Sequence, residues 1–121
     1  MQKSLNLLLV DDNRVIQNIH RSLVERLGHK PVLAYSGQEA LALCRLHKFD
    51  AILMDVQMPQ MDGMQTTQSL RSSGCHTPII AVTGNDLMED REACIRAGMN
   101  AFCSKPLNMH QLQAQLETIV R

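Results

Sequence analysis

The chain has no tryptophan, one tyrosine and two phenylalanines among its 121 residues. Tyr35, Phe49 and Phe102 are the whole supply of aromatic rings, too few for stacking on bases or on a flavin ring. Net charge is missing too. Twelve Lys and Arg cancel twelve Asp and Glu, so no bulk field draws the chain to nucleic acid or to a membrane surface. No apolar run approaches the roughly 20 residues that span a bilayer, and no signal peptide precedes the first apolar stretch. The four cysteines, Cys44, Cys75, Cys94 and Cys103, contain no C-x-x-C pair and match no zinc pattern. Free thiols in a reducing cytoplasm are expected. His20, His29, His47, His76 and His110 are scattered, and most are expected at the surface or at helix ends. There is no repeat, low-complexity tract or linker. What is left is one domain of ordinary size, 45% apolar, whose core must come from Leu, Ile, Val and eight Met.

The apolar pattern alternates between two kinds of segment. Leu7 to Val10, Pro31 to Ala34, Phe49 to Asp55, Pro78 to Val82 and Ala101 to Ser104 are short runs bounded by turn residues, which suits strands. Pro31 cannot donate to a ladder and places the second strand at an edge. Between them lie helical spacings. Val15, Ile16, Ile19, Leu23, Val24 and Leu27 form one stripe that Gly28 ends. Ser36 and Glu39 have capping-box spacing ahead of Ala40, Leu41, Leu43 and Cys44. Met64, Thr67 and Leu70 share a side of a third helix that Gly74 closes. A fourth helix, from about Asp86 to Ala97, has a thin stripe of Leu87, Cys94 and Ile95, and Leu112, Leu116, Ile119 and Val120 mark the last. Five strand–helix alternations imply an α/β domain, a parallel sheet with helices on both faces, because parallel strands need crossover connections.

In such a sheet the carboxyl ends of all strands share one rim, where open α/β folds bind ligands. Asp11 and Asp12 follow the first strand, Asp55 the third, Thr83 the fourth and Lys105 the fifth. Singly, each has a plainer account: helix-starting acids, a loop acid, an N-cap threonine, a solvated lysine. Asp62-Gly63 reads as turn chemistry. Jointly, they bring three acids, a hydroxyl and an amine together from distant parts of the chain. Clustered carboxylates repel, and a divalent cation relieves that cost; magnesium suits such a site, with manganese as a substitute. A carboxylate can also act as a nucleophile toward phosphorus. Asp55 is the candidate phosphoacceptor, Asp11, Asp12 and Asp55 the metal site, and Thr83 and Lys105 the partners of the remaining phosphoryl oxygens. Gly84 leaves space for an incoming group.

Leu-Leu-Val-Asp-Asp-Asn (8–13), Asp-Val-Gln-Met-Pro-Gln-Met-Asp-Gly (55–63), Ala-Val-Thr-Gly (81–84) and Ser-Lys-Pro-Leu (104–107) make the whole chain resemble the receiver domain of two-component response regulators. The resemblance implies a single doubly wound, flavodoxin-like (βα)5 domain over residues 1–121, with a five-stranded sheet in the order 2-1-3-4-5. It implies that Asp12 holds the metal directly and Asp11 mainly through water, with the Gln57 backbone carbonyl as a further ligand. Thr83 and Phe102 match the family's switch pair. Lys105 pairs with the phosphate, and its bond to Pro106 is expected to be cis. Asn13, Ile16 and Pro106 are the docking candidates for the donor; Ile16 also fits plain core. Gln57 and Asn85 match positions that influence phosphoryl lifetime.

The style of the chain, including Arg-Ala-Gly-Met-Asn-Ala (96–101), also resembles receivers fused to hybrid sensor histidine kinases; a stand-alone regulator is the alternative. The expectation is a cytoplasmic, monomeric switch without a classical enzyme activity of its own. A histidine kinase or histidine phosphotransfer domain would serve as partner, with no direct contact to nucleic acid or membrane. Two rival classes remain. An aspartyl-phosphate phosphatase would carry a second acid where Gln57 stands. A flavodoxin-like carrier would bring a flavin phosphate against Asp11 and Asp12.

Overall fold

The computed structural model of the chain describes residues 3–84 and 88–120. These form β1 (Asn6–Val10), α1 (Arg14–Arg26), β2 (Lys30–Ala34), α2 (Gly37–Leu46), β3 (Ala51–Asp55), α3 (Gly63–Ser72), β4 (Ile79–Thr83), α4 (Met88–Ala97), β5 (Ala101–Ser104) and α5 (Met109–Ile119). All sheet pairings are parallel and the order is β2-β1-β3-β4-β5, as the resemblance implies. Asp86 and Leu87, expected at the start of α4, lie outside the described residues, as does Asn85.

The sheet is apolar on both sides, and strand period 2 divides its side chains between two cores. Leu7, Leu9, Leu53, Ile80 and Val82 pack with Val24 of α1 and Leu112 and Leu116 of α5. Leu8, Val10, Ile52, Met54, Ile79 and Ala81 pack with Ala40 of α2, Leu70 of α3 and Cys94 of α4. The central strand β3 is buried at all five residues, while β2, with Pro31, is an edge as expected.

Local chemistry sets the ends. Gly28 and Gly74 take a φ of 90°, and Gly98 of 113°, the left-handed turn that lets a chain leave a helix without a Cβ clash. Ser36 accepts from the Glu39 N–H at 3.1 Å. Glu39 reaches back one residue further than in the usual box, to the Tyr35 N–H.

The stripe assigned to α1 needs correction. Val15 and Ile19 are 69% and 53% exposed, whereas the buried residues of α1 are Gln17, His20 and Val24. On this inward face Val24, Leu23 and Leu27 pack on the core, while Gln17 donates to the Leu9 and Ala34 carbonyls and His20 accepts from the Leu107 N–H. In α4, Cys94 is buried but Ile95 is exposed, so Ile95 does not belong to the buried stripe.

Candidate functional site

The carboxyl-terminal rim is built from four strand ends. Asp55 is the last residue of β3 and Asp11 the first after β1; each is only 3% exposed. Asp12, beside Asp11, faces solvent. The Asp11 N–H donates to the Ala34 carbonyl at 3.1 Å, and Asp11 Oδ1 accepts from the Asn13 N–H at 2.9 Å. Thr83 closes β4 opposite Ser104 of β5, so it is a strand residue rather than the N-cap of α4. The Lys105 N–H donates to the Thr83 carbonyl at 3.0 Å, which ties the last two strand ends together.

Lys105 turns its amine into the middle of this rim. Its Nζ lies 2.9 Å from Asp11 Oδ2 and 3.3 Å from Asp55 Oδ1. Asp55 Oδ1 also accepts from the Gln57 N–H at 3.3 Å. Asp55 Oδ2 is buried and has no hydrogen-bond partner among the described residues. Burial, reinforced by the charge of Asp11, pushes the Asp55 carboxyl up to about 6, while Lys105 and the Gln57 N–H pull the other way. Burial also works against the charge on Lys105. The two carboxylates outweigh it and hold the ammonium above its ordinary range. A buried Asp55 carboxyl thus has the Lys105 ammonium beside one of its oxygens.

One carboxylate oxygen from each of Asp11, Asp12 and Asp55 can be chosen so that all three lie within 4.8 Å of one another. With one lysine against three acids and a buried oxygen unpaired, the donor set fits a hard divalent cation.

The loop after Asp55 is held tightly. Asp62 caps α3 by accepting from the Gln65 N–H at 2.8 Å, which supports the turn reading of Asp62-Gly63. The Gly63 N–H donates to the Val56 carbonyl at 3.0 Å. A Cβ at Gly63 would run into the backbone carbonyl of Asp55, so only glycine lets the loop fold back this closely. Gly84, by contrast, has open space around it.

Phe102 of β5 is half-buried against the core shared with α4, and the Arg91 guanidinium sits 4.8 Å above its ring. The Lys105-Pro106 bond is cis, as expected. Asn13 N-caps α1, its Oδ1 accepting from the Val15 and Ile16 N–H groups at 3.0 Å each. Ile16 is half-exposed and Pro106 exposed; neither belongs to the buried core.

Two residues at this rim escaped the sequence reading. Gln17 is fully buried, and its Nε2 donates to the carbonyls of Leu9 at 2.9 Å and Ala34 at 2.8 Å. It bridges the ends of β1 and β2 just ahead of Asp11. His20 is 4% exposed, and its Nε2 accepts from the Leu107 N–H at 3.3 Å, holding the segment just after Lys105. Burial lowers the His20 pKa, Asp11 opposes that, and Lys105 adds to it. His29 is also buried, accepting from the Leu5 N–H through Nδ1. His20, buried inside α1, departs from the expected surface or helix-end position, whereas His29 stands just past the end of that helix. The signal was present: Gln17, His20 and Val24 fall at i, i+3 and i+7 on one helix face.

Known proteins give the rim a context. The family model described as the response regulator receiver domain matches residues 7–117. A probable histidine kinase of Oryza sativa subsp. indica is 33% identical over 92% of this chain, which spans 15% of that protein. The chain spans about half the length or less of the curated relatives it matches. The receiver domain of a sensor histidine kinase from Pseudomonas aeruginosa PAO1, solved with a magnesium ion in its active-site cleft, is 36% identical. It superposes with a TM-score of 0.89 over 98% of each chain. The receiver domain of a Saccharomyces cerevisiae response regulator, solved in complex with a histidine phosphotransfer protein, is 25% identical with a TM-score of 0.89. That match covers 99% of this chain and 91% of the other. The five-stranded doubly wound sheet is thus shared with proteins of one kind, and this chain belongs to the response regulator receiver domains of two-component signalling.

Proposed function

We propose that this domain is the phosphoacceptor of a phosphorelay, and that Asp55 receives a phosphoryl group from a phosphohistidine on a partner. The observation that carries this is the buried Asp55 carboxylate, with Oδ2 unpaired and Lys105 Nζ at 3.3 Å from Oδ1. In the transfer an Asp55 oxygen bonds to phosphorus as the bond from phosphorus to the histidine nitrogen breaks; the leaving imidazole keeps that electron pair. Asp11, Asp12 and Asp55, with the Gln57 carbonyl, would hold magnesium, which supplies positive charge to offset the transferring oxygens. Lys105, already placed at this oxygen, contributes the protein's own positive charge. The Thr83 hydroxyl takes a remaining phosphoryl oxygen.

Phosphorylation adds charge and acceptor oxygens to the rim. Thr83 and Phe102 answer it as a switch, biasing a two-state element of α4, β5 and α5. Phe102 is suited to that role because its ring joins the α4 core and lies under Arg91. The donor is a histidine kinase or a histidine phosphotransfer domain, docking over Asn13, Ile16 and Pro106. The solvent-facing Val15 and Ile19 of α1 extend that patch with apolar area. Likeness to receivers of histidine kinases supports an origin in a hybrid kinase. The domain itself is a switch rather than a turnover enzyme, since Gln57 stands where an aspartyl-phosphate phosphatase would place its second acid.

The test is incubation with acetyl phosphate, with and without magnesium, read by intact mass. Wild type is expected to gain one phosphoryl group only with the metal, and Asp55→Asn none. Equal uptake by both proteins would end the proposal.

A further inference from the structure

One helix face stands behind both members of the Asp11–Lys105 ion pair. The Asp11 N–H donates to the Ala34 carbonyl at 3.1 Å. Gln17 Nε2 of α1 donates to that same carbonyl at 2.8 Å and to the Leu9 carbonyl at 2.9 Å. The point where Asp11 leaves β1 is therefore fixed by a fully buried side chain. Further along α1, His20 Nε2 accepts from the Leu107 N–H at 3.3 Å. Leu107 is buried, so this N–H has no water to fall back on. Lys105, just before it, donates its own N–H to the Thr83 carbonyl at 3.0 Å. The segment that carries the lysine is thus anchored on both sides, and Lys105 Nζ meets Asp11 Oδ2 at 2.9 Å. Filling the core does not require an amide or an imidazole here. Val24, on the same face, is buried with no polar side-chain atom. Gln17 and His20 are each paired instead with main chain beside a charged residue of the rim.

We propose that Gln17 and His20 are positioning residues for phosphoryl transfer: Gln17 sets Asp11 for the metal, and His20 sets Lys105 for the phosphoryl oxygens. Both roles rest on Asp55 being the phosphoacceptor. Gln17 acts through the backbone that presents Asp11, a residue already held at Oδ1 by the Asn13 N–H at 2.9 Å. Without the Gln17 donor, the Leu9 carbonyl loses that bond, and the Ala34 carbonyl keeps the Asp11 N–H alone to hold the strand ends in place. Groups that orient a metal ligand from behind are worth about 10–100-fold in metal affinity. His20 acts through the segment after Lys105. Without its acceptor, the buried Leu107 N–H must move to find another, and the lysine moves with it. A displacement of about 1 Å at a charge that meets the transferring group costs about 100-fold in rate. The two losses differ in kind, one in metal binding and one in the chemical step, and that difference separates positioning from core filling.

The test pairs calorimetric magnesium titration with the rate of phosphate uptake from acetyl phosphate at saturating magnesium, read by intact mass. Gln17→Met keeps the shape and removes the donor. It should weaken magnesium binding by about ten-fold, more than it slows the saturated rate. His20→Leu should slow the saturated rate by about ten-fold or more while affinity stays within about two-fold. His20→Gln, whose side-chain oxygen can stand in for Nε2, should restore that rate. Val24→Ala should destabilise the fold and move neither readout. Gln17→Met and His20→Leu proteins that lose stability but keep wild-type affinity and rate would overturn the proposal, as would a Val24→Ala protein that matched them. Where a variant fails to fold, NMR of wild type decides. Magnesium should shift the Gln17 side-chain amide and the Leu107 N–H and leave the Val24 N–H in place; unmoved Gln17 and Leu107 signals would overturn the proposal. A wild type that neither binds magnesium nor gains phosphate would end the phosphoacceptor role of Asp55 as well. A wild type that does both, beside variants that match it, would end the positioning role alone.

Discussion

The two ends of the sheet solve opposite problems with similar materials. At the amino end, Arg71 of α3 puts its guanidinium among neutral acceptors and satisfies them all. Nε and Nη2 donate to the Gly98 carbonyl at 3.1 and 2.8 Å, and Nη1 donates to the carbonyls of Cys75 and Thr77 at 3.0 and 2.8 Å. Nη2 also reaches Asn100 Oδ1 at 2.9 Å, an oxygen that accepts the Ile79 N–H as well. At the carboxyl end, Lys105 meets two carboxylates, yet Asp55 Oδ2 stays without a hydrogen bond among the described residues. One end spends its polar groups on cohesion. The other leaves capacity unmet, which is what a site needs in order to bind something else.

Removing the clamp should have the largest effect. Arg71→Ala strips the hydrogen bonds that join α3, the end of α4 and the starts of β4 and β5. A loss of about 2–4 kcal/mol in unfolding free energy is expected, with magnesium affinity little changed. Chemical denaturation and metal titration on the same variant check both halves. If metal binding fell with stability, the two ends would not be separable.

At the carboxyl end the order should reverse. Asp12→Ala should weaken magnesium affinity by about ten-fold or more while costing little stability. Asp62→Ala, which removes the cap of α3, should cost about 1 kcal/mol and leave magnesium affinity within about two-fold. Isothermal titration of both variants decides the assignment, and equal effects on affinity would show the wrong carboxylates had been chosen.

The smallest effect tests the support behind the rim. The His20 pKa is lowered by burial, and its Nε2 must stay unprotonated to accept from Leu107. Its contribution is complete above the unfolded value of roughly 6.5 and is lost as pH falls through the lower folded value. Wild type should therefore lose about 1 kcal/mol relative to His20→Phe between pH 7 and pH 5. Parallel urea curves for the two proteins across that range would remove His20 from the account.

The sequence showed the alternation of strands and helices because strands buried on both faces read as unbroken apolar runs, such as Ala51 to Met54. It showed the rim because parallel topology converts "just past a strand" into "at one edge". It hid what depends on backbone geometry. Gln17 is buried with its amide donating to the carbonyls of Leu9 and Ala34, and no side-chain pattern announces that. Arg71 reads as an ordinary base in a last helical turn, because its acceptors are main-chain groups dispersed over the sequence. Val15 and Ile19 read as core by residue type, yet face solvent because the buried face of α1 runs through Gln17, His20 and Val24.

Gly63 has no functional group, and yet the chemistry of the rim constrains it. Its missing side chain is what lets the loop lie against the carbonyl of Asp55. A methyl group there would push on the strand end that presents the carboxylate, altering aim without altering composition. The exposed tip at Pro59 and Gln60 carries no such coupling. An engineer could rewrite that tip for a new partner while treating Gly63 as fixed tooling.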